Sequence, residues 1–499
     1  MAKSKSALLL VLCLALVSFH GSAANRQDQQ LNECQLRSIN AREPDDKIEC
    51  EAGLVETWNP NHDQFQCVGV AVMRRTIQPK GLLLPTYSNA PSLIYIVQGK
   101  GMYGVMFSGC PETFQEAQQS RGSMGDQDQH QQIRRFRQGD IIALPAGVAH
   151  WAYNDGNEAV VAVTVLDTAN AGNQLDNMPR NFYLAGNPEN EFRQQYQRRP
   201  DQSRRPLFPS PRYSSRGRQS EKSSCNNLFC GMDSKMIAEA FNIDEQLARK
   251  LQSQNDFRGS IVRVEEQLQV VRPPRTQQEM QQMEREQCRP GGGCVANGAE
   301  ETYCSMRLKE NIADPSRADI FVPEVGRVST VNGHNLPILQ SIRMSASHVV
   351  LHCDAMRMPH WHLHAHSIMY CLEGQARVQI VDENGKNMFD GTFRKGQVLT
   401  VPQNFVVMKQ AESERFEYVA FKTSAYTMTT DLAGRTSAFR AMPVEVIANA
   451  FQMSVEDAMK IKYGREETTL GMSRRQQSRR FSDVAAAAVA TIAEVATSV

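Results

Sequence analysis

Three stretches from the first half of this chain return, in the same order, in the second half. SIMYCLEGQARVQIV answers SLIYIVQGKGMYGVM, and the runs Ser92–Gly99 and Ser367–Gly374 are equal in length. GQVLTVPQNF (Gly396–Phe405) answers GDIIALPAGV (Gly139–Val148), with the glycine six positions before the proline in each. IANAFQMSVEDAMKIK then answers IAEAFNIDEQLARKLQ. The chain is therefore a tandem duplication, which restricts it to two copies of one fold. Within each copy the runs are rich in Val, Ile, Tyr and Ala and are separated by Gly and Pro, the pattern of short antiparallel strands. Helix follows the strands: Ile237, Ala240, Phe241, Leu247 and Leu251 keep a 3.6-residue spacing, with a break at Asn242–Asp244. The expected fold class is mainly β, with two tandem antiparallel β-barrels that each carry a helical extension.

Composition sets the limits of the copies. Lys3 and Lys5 precede the apolar run Ala7–Val17, and Ser22-Ala23-Ala24 supplies small residues, so residues 1–24 read as a secretory signal peptide. The first barrel is expected over 25–187. An Arg- and Gln-rich linker follows over 188–230, the helical extension over 231–272 and a variable linker over 273–297. The second barrel with its helices is expected over 298–465, and a tail over 466–499. No run is apolar and long enough to cross a bilayer, the C-terminal Val484–Val499 included, so no membrane partner is expected. The arginines of 188–222 suggest a nucleic-acid arm, but a net charge of +1 over 499 residues and a secreted route favour a solvated linker and no nucleic acid.

Of twelve cysteines, Cys13 leaves with the signal peptide, and the odd remainder means that at least one thiol is free or pairs between molecules. Spacing alone assigns no pair. Among them, Cys288 to Cys304 reads CRPGGGCVANGAEETYC, an extended, Gly-rich stretch after a polar run. Inside it, Asn297-Gly298 has two readings: a two-residue hairpin turn, or an exposed bond open to proteolytic processing. The pairs Asn332-Gly333 and Asn384-Gly385 sit between strand-like runs and read as turns.

The segment GDIIALPAGVAHWAYN resembles the second conserved motif of the cupin superfamily, with Gly139, Pro145 and Gly147 shaping the turn and His150 facing the barrel interior. Together with NQLDNMPRNFYLAGNP, NGAEETYC and VPQNFVVMKQA, it resembles a legumin-type (11S) seed storage globulin from Glu33 to Gly464. That resemblance implies two cupin (jelly-roll) barrels, of which the first, with its N-terminal segment, belongs to the acidic chain and the second to the basic chain. It implies cleavage between Asn297 and Gly298 by an asparagine-specific vacuolar endopeptidase. It further implies disulfides Cys34–Cys67 and Cys110–Cys304, assembly into trimers and then hexamers, and storage in the protein bodies of the seed. The tail has two readings, a vacuolar sorting peptide or an unstructured end, and IgE binding is a by-product common in the family. The stretch before the cleavage site is usually strongly acidic in such proteins. Here it is mixed and holds Cys288 and Cys294.

An alternative comes from the histidines, six of eleven lying between His348 and His366. Metal-dependent cupins use H-x-H, then Glu, then a His of the second motif, a set that suits Mn, Fe, Cu or Zn. His360 and His362 occupy the H-x-H positions and are the candidate metal ligands. Ser367 stands in the Glu position and Val407 in the last His position. In the first copy His150 is present, but Pro85, Tyr87 and Ser92 take the other three. The reading is a nutrient reservoir protein without catalytic residues or a required cofactor; the alternative is a metal-dependent cupin oxidoreductase using the second barrel.

Overall fold

A computed structural model of the chain describes residues 34, 36–107, 113–114, 129–130, 133–192, 226–253, 255–266, 268 and 306–473. Asn297, Gly298, Cys110 and Cys304 lie outside them, as do the leader and the tail beyond 473.

Each copy is a pair of antiparallel sheets facing one another. In the first, the larger sheet runs in the order Asp46–Cys50, Gly53–Thr57, Val70–Ile77, Val160–Asp167, Ser92–Gln98, Asp140–Leu144 and Lys309–Asn311. Its partner sheet is Asn181–Tyr183, Gly81–Ser88, Ala149–Tyr153, Lys100–Met106 and Arg134–Arg137, with Ile261–Arg263 also paired to Gly81–Ser88. The second copy repeats the plan: Ile320–Val322, Gly326–Val331, Ser345–His352, Arg415–Lys422, Ser367–Glu373 and Val398–Val401 face Asn387–Arg394, Gln375–Val381, Val406–Ala411, Ala355–His362 and Thr429–Asp431. The duplication reaches single turns. Gly99 and Gly374 both take a left-handed conformation, at φ 85° and 71°, and a Cβ on Gly374 would meet the Arg415 carbonyl at 2.0 Å.

The sheets that hold Ser92–Gln98 and Ser367–Glu373 pack back to back, which explains strands that are apolar on both faces. In Arg415–Lys422, Phe416, Tyr418 and Ala420 enter the second barrel's core, while Val419 and Phe421 join a core continuous with the first barrel. Polar contacts fix the seam. Arg74 donates to the Tyr370 hydroxyl at 3.0 Å, Trp58 sets its edge against the Tyr370 ring, and Tyr95 stacks on His348. His348 in turn meets Glu417 at 2.6 Å. Burial alone would raise the Glu417 carboxyl, but His348 and Arg415 outweigh it and hold it down to about 2.

Several expected boundaries move. Residues 308–312 belong to the first barrel, not the second: Lys309–Asn311 extends its sheet beyond Asp140–Leu144, and Leu308 and Ile312 are buried in its core. Reciprocally, residues near 40 serve the second barrel. Ile39 packs in its core and donates to the Met388 carbonyl, and Arg42 exchanges backbone hydrogen bonds with Val398. Residues 188–192, expected as linker, are built into the first copy, where Glu191 and Phe192 are buried. Ile261–Arg263, expected within the helical extension, is a strand. Leu470–Met472, expected in the tail, pairs with Ala355–Arg357. Each segment buries side chains in a barrel, and all but 188–192 also pair backbone with a strand of it, which outweighs their polar flanks.

The helical extension divides where expected, with Ser234–Phe241 and Glu245–Gln252 capped by Asp233 and Asp244 and Asn242 turning left-handed between them. Asn384-Gly385 joins two strands as a turn, whereas Asn332-Gly333 leads from Gly326–Val331 into the short helix Ile338–Ile342. Cys34 is disulfide-bonded to Cys67, with Cα atoms 4.5 Å apart. Cys230 is also bonded, while Cys50, Cys353 and Cys371 are free thiols.

Candidate functional site

The chemistry of a barrel fold lies in its interior, and the two interiors differ. In the first, Gly139 and Gly147, at φ 85° and 75°, turn the chain into and out of the segment that carries Pro145. The Gly147 amide donates to the Ser88 carbonyl, fixing the start of Ala149–Tyr153. His150 on that strand lines a cavity of about 50 Å³ with Arg75, Tyr103 and many Ile, Leu and Val side chains. That volume is far below a substrate pocket. Desolvation and the positive charge of Arg75 push His150 down to about 4, so it is neutral at neutral pH. Arg75 is neutralised in place: its guanidinium donates to Glu191 Oε2 at 2.7 Å, and Glu191 also accepts from Asn181 and Ser260. Pro85, Tyr87 and Ser92 add no metal ligand.

In the second barrel a β-bulge decides the contents. The register of Ala355–His362 against Val406–Ala411 slips between Arg357 and His360. Strict alternation would put Arg357 and His360 on opposite faces; the extra residue brings Arg357, His360 and His362 all to the inside. Val407 lies directly across from His360. The two imidazole rings sit 5.4 Å apart between centroids, His360 Nδ1 donating to the Met358 carbonyl and His362 Nδ1 meeting Thr429 Oγ1 at 3.1 Å. Burial, with Arg357, Lys409 and Lys422 nearby, drives both imidazoles well below the usual histidine range.

Those cations were missed at the sequence level. Lys409 is 2% exposed and Lys422 8%. Lys409 lies over the Tyr418 ring, and Lys422 is directly across from Ser345 and Ser367. Asp431 is the carboxylate among them, and it is taken: Arg357 donates to it at 2.6 Å and Thr469 at 3.0 Å. Desolvation, then the charge of Arg357, lowers both amines, Lys422 to about 7 and Lys409 well below the lysine range. The available signal was phase, since VVMKQA and YVAFK place each lysine in step with core positions.

This arrangement does not fit a metal at His360 and His362, the candidate ligands of the alternative reading. A divalent cation would sit among Arg357, Lys409 and Lys422, with Ser367 in the carboxylate position and Val407 in that of the last imidazole. Among the described residues, no three His, Cys, Asp or Glu side chains come together as a metal-holding group. His364 and His366, from the same run of histidines, are engaged elsewhere, with the Tyr426 carbonyl and the Gln403 amide. Cys371 is buried, and desolvation pushes its thiol up to about 12, far from a thiolate ligand.

Comparison with known proteins follows the same plan. The cupin family model matches residues 39–190 and 310–459, one match per copy. The chain is 53% identical over 494 residues to an 11S globulin seed storage protein of Carya illinoinensis, covering 95% of this chain and 97% of that one. It is 48% identical over 494 residues to Legumin A of Gossypium hirsutum, covering 92% and 96%. Among solved structures, the coconut allergen cocosin superposes with a TM-score of 0.73 at 42% identity, over 88% of this chain and 100% of that one.

Proposed function

The chain belongs to the cupin family and, within it, to the 11S seed storage globulins, and from that premise we propose that it is a nutrient reservoir and not an enzyme. The observation that carries this reading is likeness to storage globulins along nearly the whole chain. The oxidoreductase alternative loses its support in the cationic surroundings of His360 and His362.

In this reading the leader sends the chain to the storage vacuole of the seed, where an asparagine-specific endopeptidase cuts between Asn297 and Gly298. Cys110 and Cys304 join the resulting acidic and basic chains. The crossed arms support such a cut. Lys309–Asn311 lies downstream of the cleavage bond yet completes a sheet of the upstream barrel, and Ile39 to Arg42 lies upstream yet packs on the downstream barrel. A cut at 297 therefore severs a connection while each product keeps a segment in the other's sheet.

Assembly is a homo-oligomer, trimer to hexamer. Met236, Phe241 and Leu247 on the first helical extension are exposed, as are Val455, Met459 and Ile461 on the second. Docking one extension of a copy onto the other extension of the next is a heterologous contact, which closes into a ring when the rotation permits.

Intact mass of the seed-purified protein, with and without reductant, tests the processing. Two chains released by reductant, the smaller beginning at Gly298, are expected. A single uncut chain under both conditions would defeat the processing claim, and abundance far below that of a major seed protein would defeat the storage claim.

A further inference from the structure

Two buried lysines without a carboxylate partner among the described residues are costly in a protein interior, where charges are paired or given up. Among the described residues the acid in the cluster of Arg357, Lys409, Lys422, His360 and His362 is Asp431, and it is already bound by Arg357 and Thr469. The site is therefore short of negative charge by up to two, and its neighbours include hydroxyls: Ser367 is 2% exposed and sits opposite Lys422. The first barrel has no such deficit, because Arg75 meets Glu191.

We propose that the interior of the second barrel is an oxyanion site, in which Lys409, Lys422 and Ser367 hold one small carboxylate or phosphate ion. With the anion bound and both amines protonated beside it, the lysines supply six N–H donors and the serine one, enough to satisfy an acetate or hydrogen phosphate removed from water. Asp431 stays with Arg357, so the anion is held by the amines and is not competing with the buried ion pair. His360 and His362 flank the site as neutral rings and do not repel it. The site needs nothing from cleavage or assembly, so its failure would leave the storage reading untouched.

The test is the thermal midpoint of the full chain, dialysed against chloride, as sodium acetate or sodium phosphate replaces chloride at constant ionic strength. A saturable rise of about 5 °C at a hundredfold excess over the dissociation constant is expected. Acetate alone acting identifies a carboxylate site, phosphate alone a phosphate site, and both a general oxyanion site. The rise should vanish in Lys409→Met and in Lys422→Met and persist in Lys422→Arg, which also serves should a methionine variant fail to fold. No saturable rise in the wild-type chain, or an equal rise in the methionine variants, overturns the proposal.

Discussion

In the first barrel one buried guanidinium, Arg75, faces one buried carboxylate, Glu191, whereas in the second Asp431 pairs with Arg357 and the buried Lys409 and Lys422 have no ion pair among the described residues. The strand plan is the same. Lys409, two residues beyond Val407, stands where the first copy has Ala152, two residues beyond His150. Lys422, opposite Ser367, stands where the first copy has Leu166, opposite Ser92. Duplication thus kept the frame and let the contents diverge: one interior became an apolar core with a closed ion pair, the other a basic chamber. The backbone hydrogen bonds that fix the frame do not depend on which side chains fill it.

The largest effect that could break this contrast comes from the closed pair. Glu191→Ala leaves Arg75 buried without its carboxylate and should destabilise the chain by about 3–5 kcal/mol, read from denaturant unfolding. A loss below about 1 kcal/mol would mean that Arg75 reaches water. The second barrel should respond with the opposite sign. In chloride buffer, Lys422→Met replaces an unpaired amine by an apolar chain of similar length and should stabilise by about 1–3 kcal/mol; destabilisation would indicate a partner for that lysine.

Titration sharpens the same contrast. Lys422 has its folded value lowered to about 7, so between 7 and the ordinary lysine range the unfolded chain binds more protons and stability rises with pH. Lys422→Met should flatten that rise. His150, lowered to about 4, acts in a lower window: as pH falls from about 6.5 to 4 the unfolded chain takes up a proton that the folded one refuses, and stability drops. His150→Leu should reduce that acid sensitivity, and an unchanged pH profile of the thermal midpoint would contradict the neutral, desolvated histidine. The smallest effects lie outside the barrels. Asp244, which accepts from the Leu247 amide, and Ser454, which accepts from the Asp457 amide, cap corresponding helices. Replacing either by Ala should cost about 1 kcal/mol, and a marked inequality would show that the two extensions are not equivalent.

Repeated strand runs, the glycines at 99 and 374 and the capped helix pair were legible because they depend on local pattern. What escaped depends on distant pairing. No local property of Lys309–Asn311 reveals that it completes a sheet begun at Asp46, and Glu191, in a polar stretch, looked like linker until Arg75 was placed beside it. The surroundings of the candidate metal site escaped for the same reason. H-x-H spacing locates His360 and His362, but the bulge that turns Arg357 inward, and the strands that bring in Lys409 and Lys422, are nonlocal. A lysine in core phase was the visible warning.

The crossed arms also bear on life at high concentration. Asp140–Leu144 and Val398–Val401 would each end a large sheet, and a bare terminal strand is a template for pairing with a neighbouring molecule. Lys309–Asn311 occupies the first of these and Arg42 the second. Each half of the molecule thus sheathes the raw margin of the other, and either half made alone would expose it. Co-expressed as separate fragments, the halves should rescue one another's solubility, because what each lends its partner is protection from fibre-like growth.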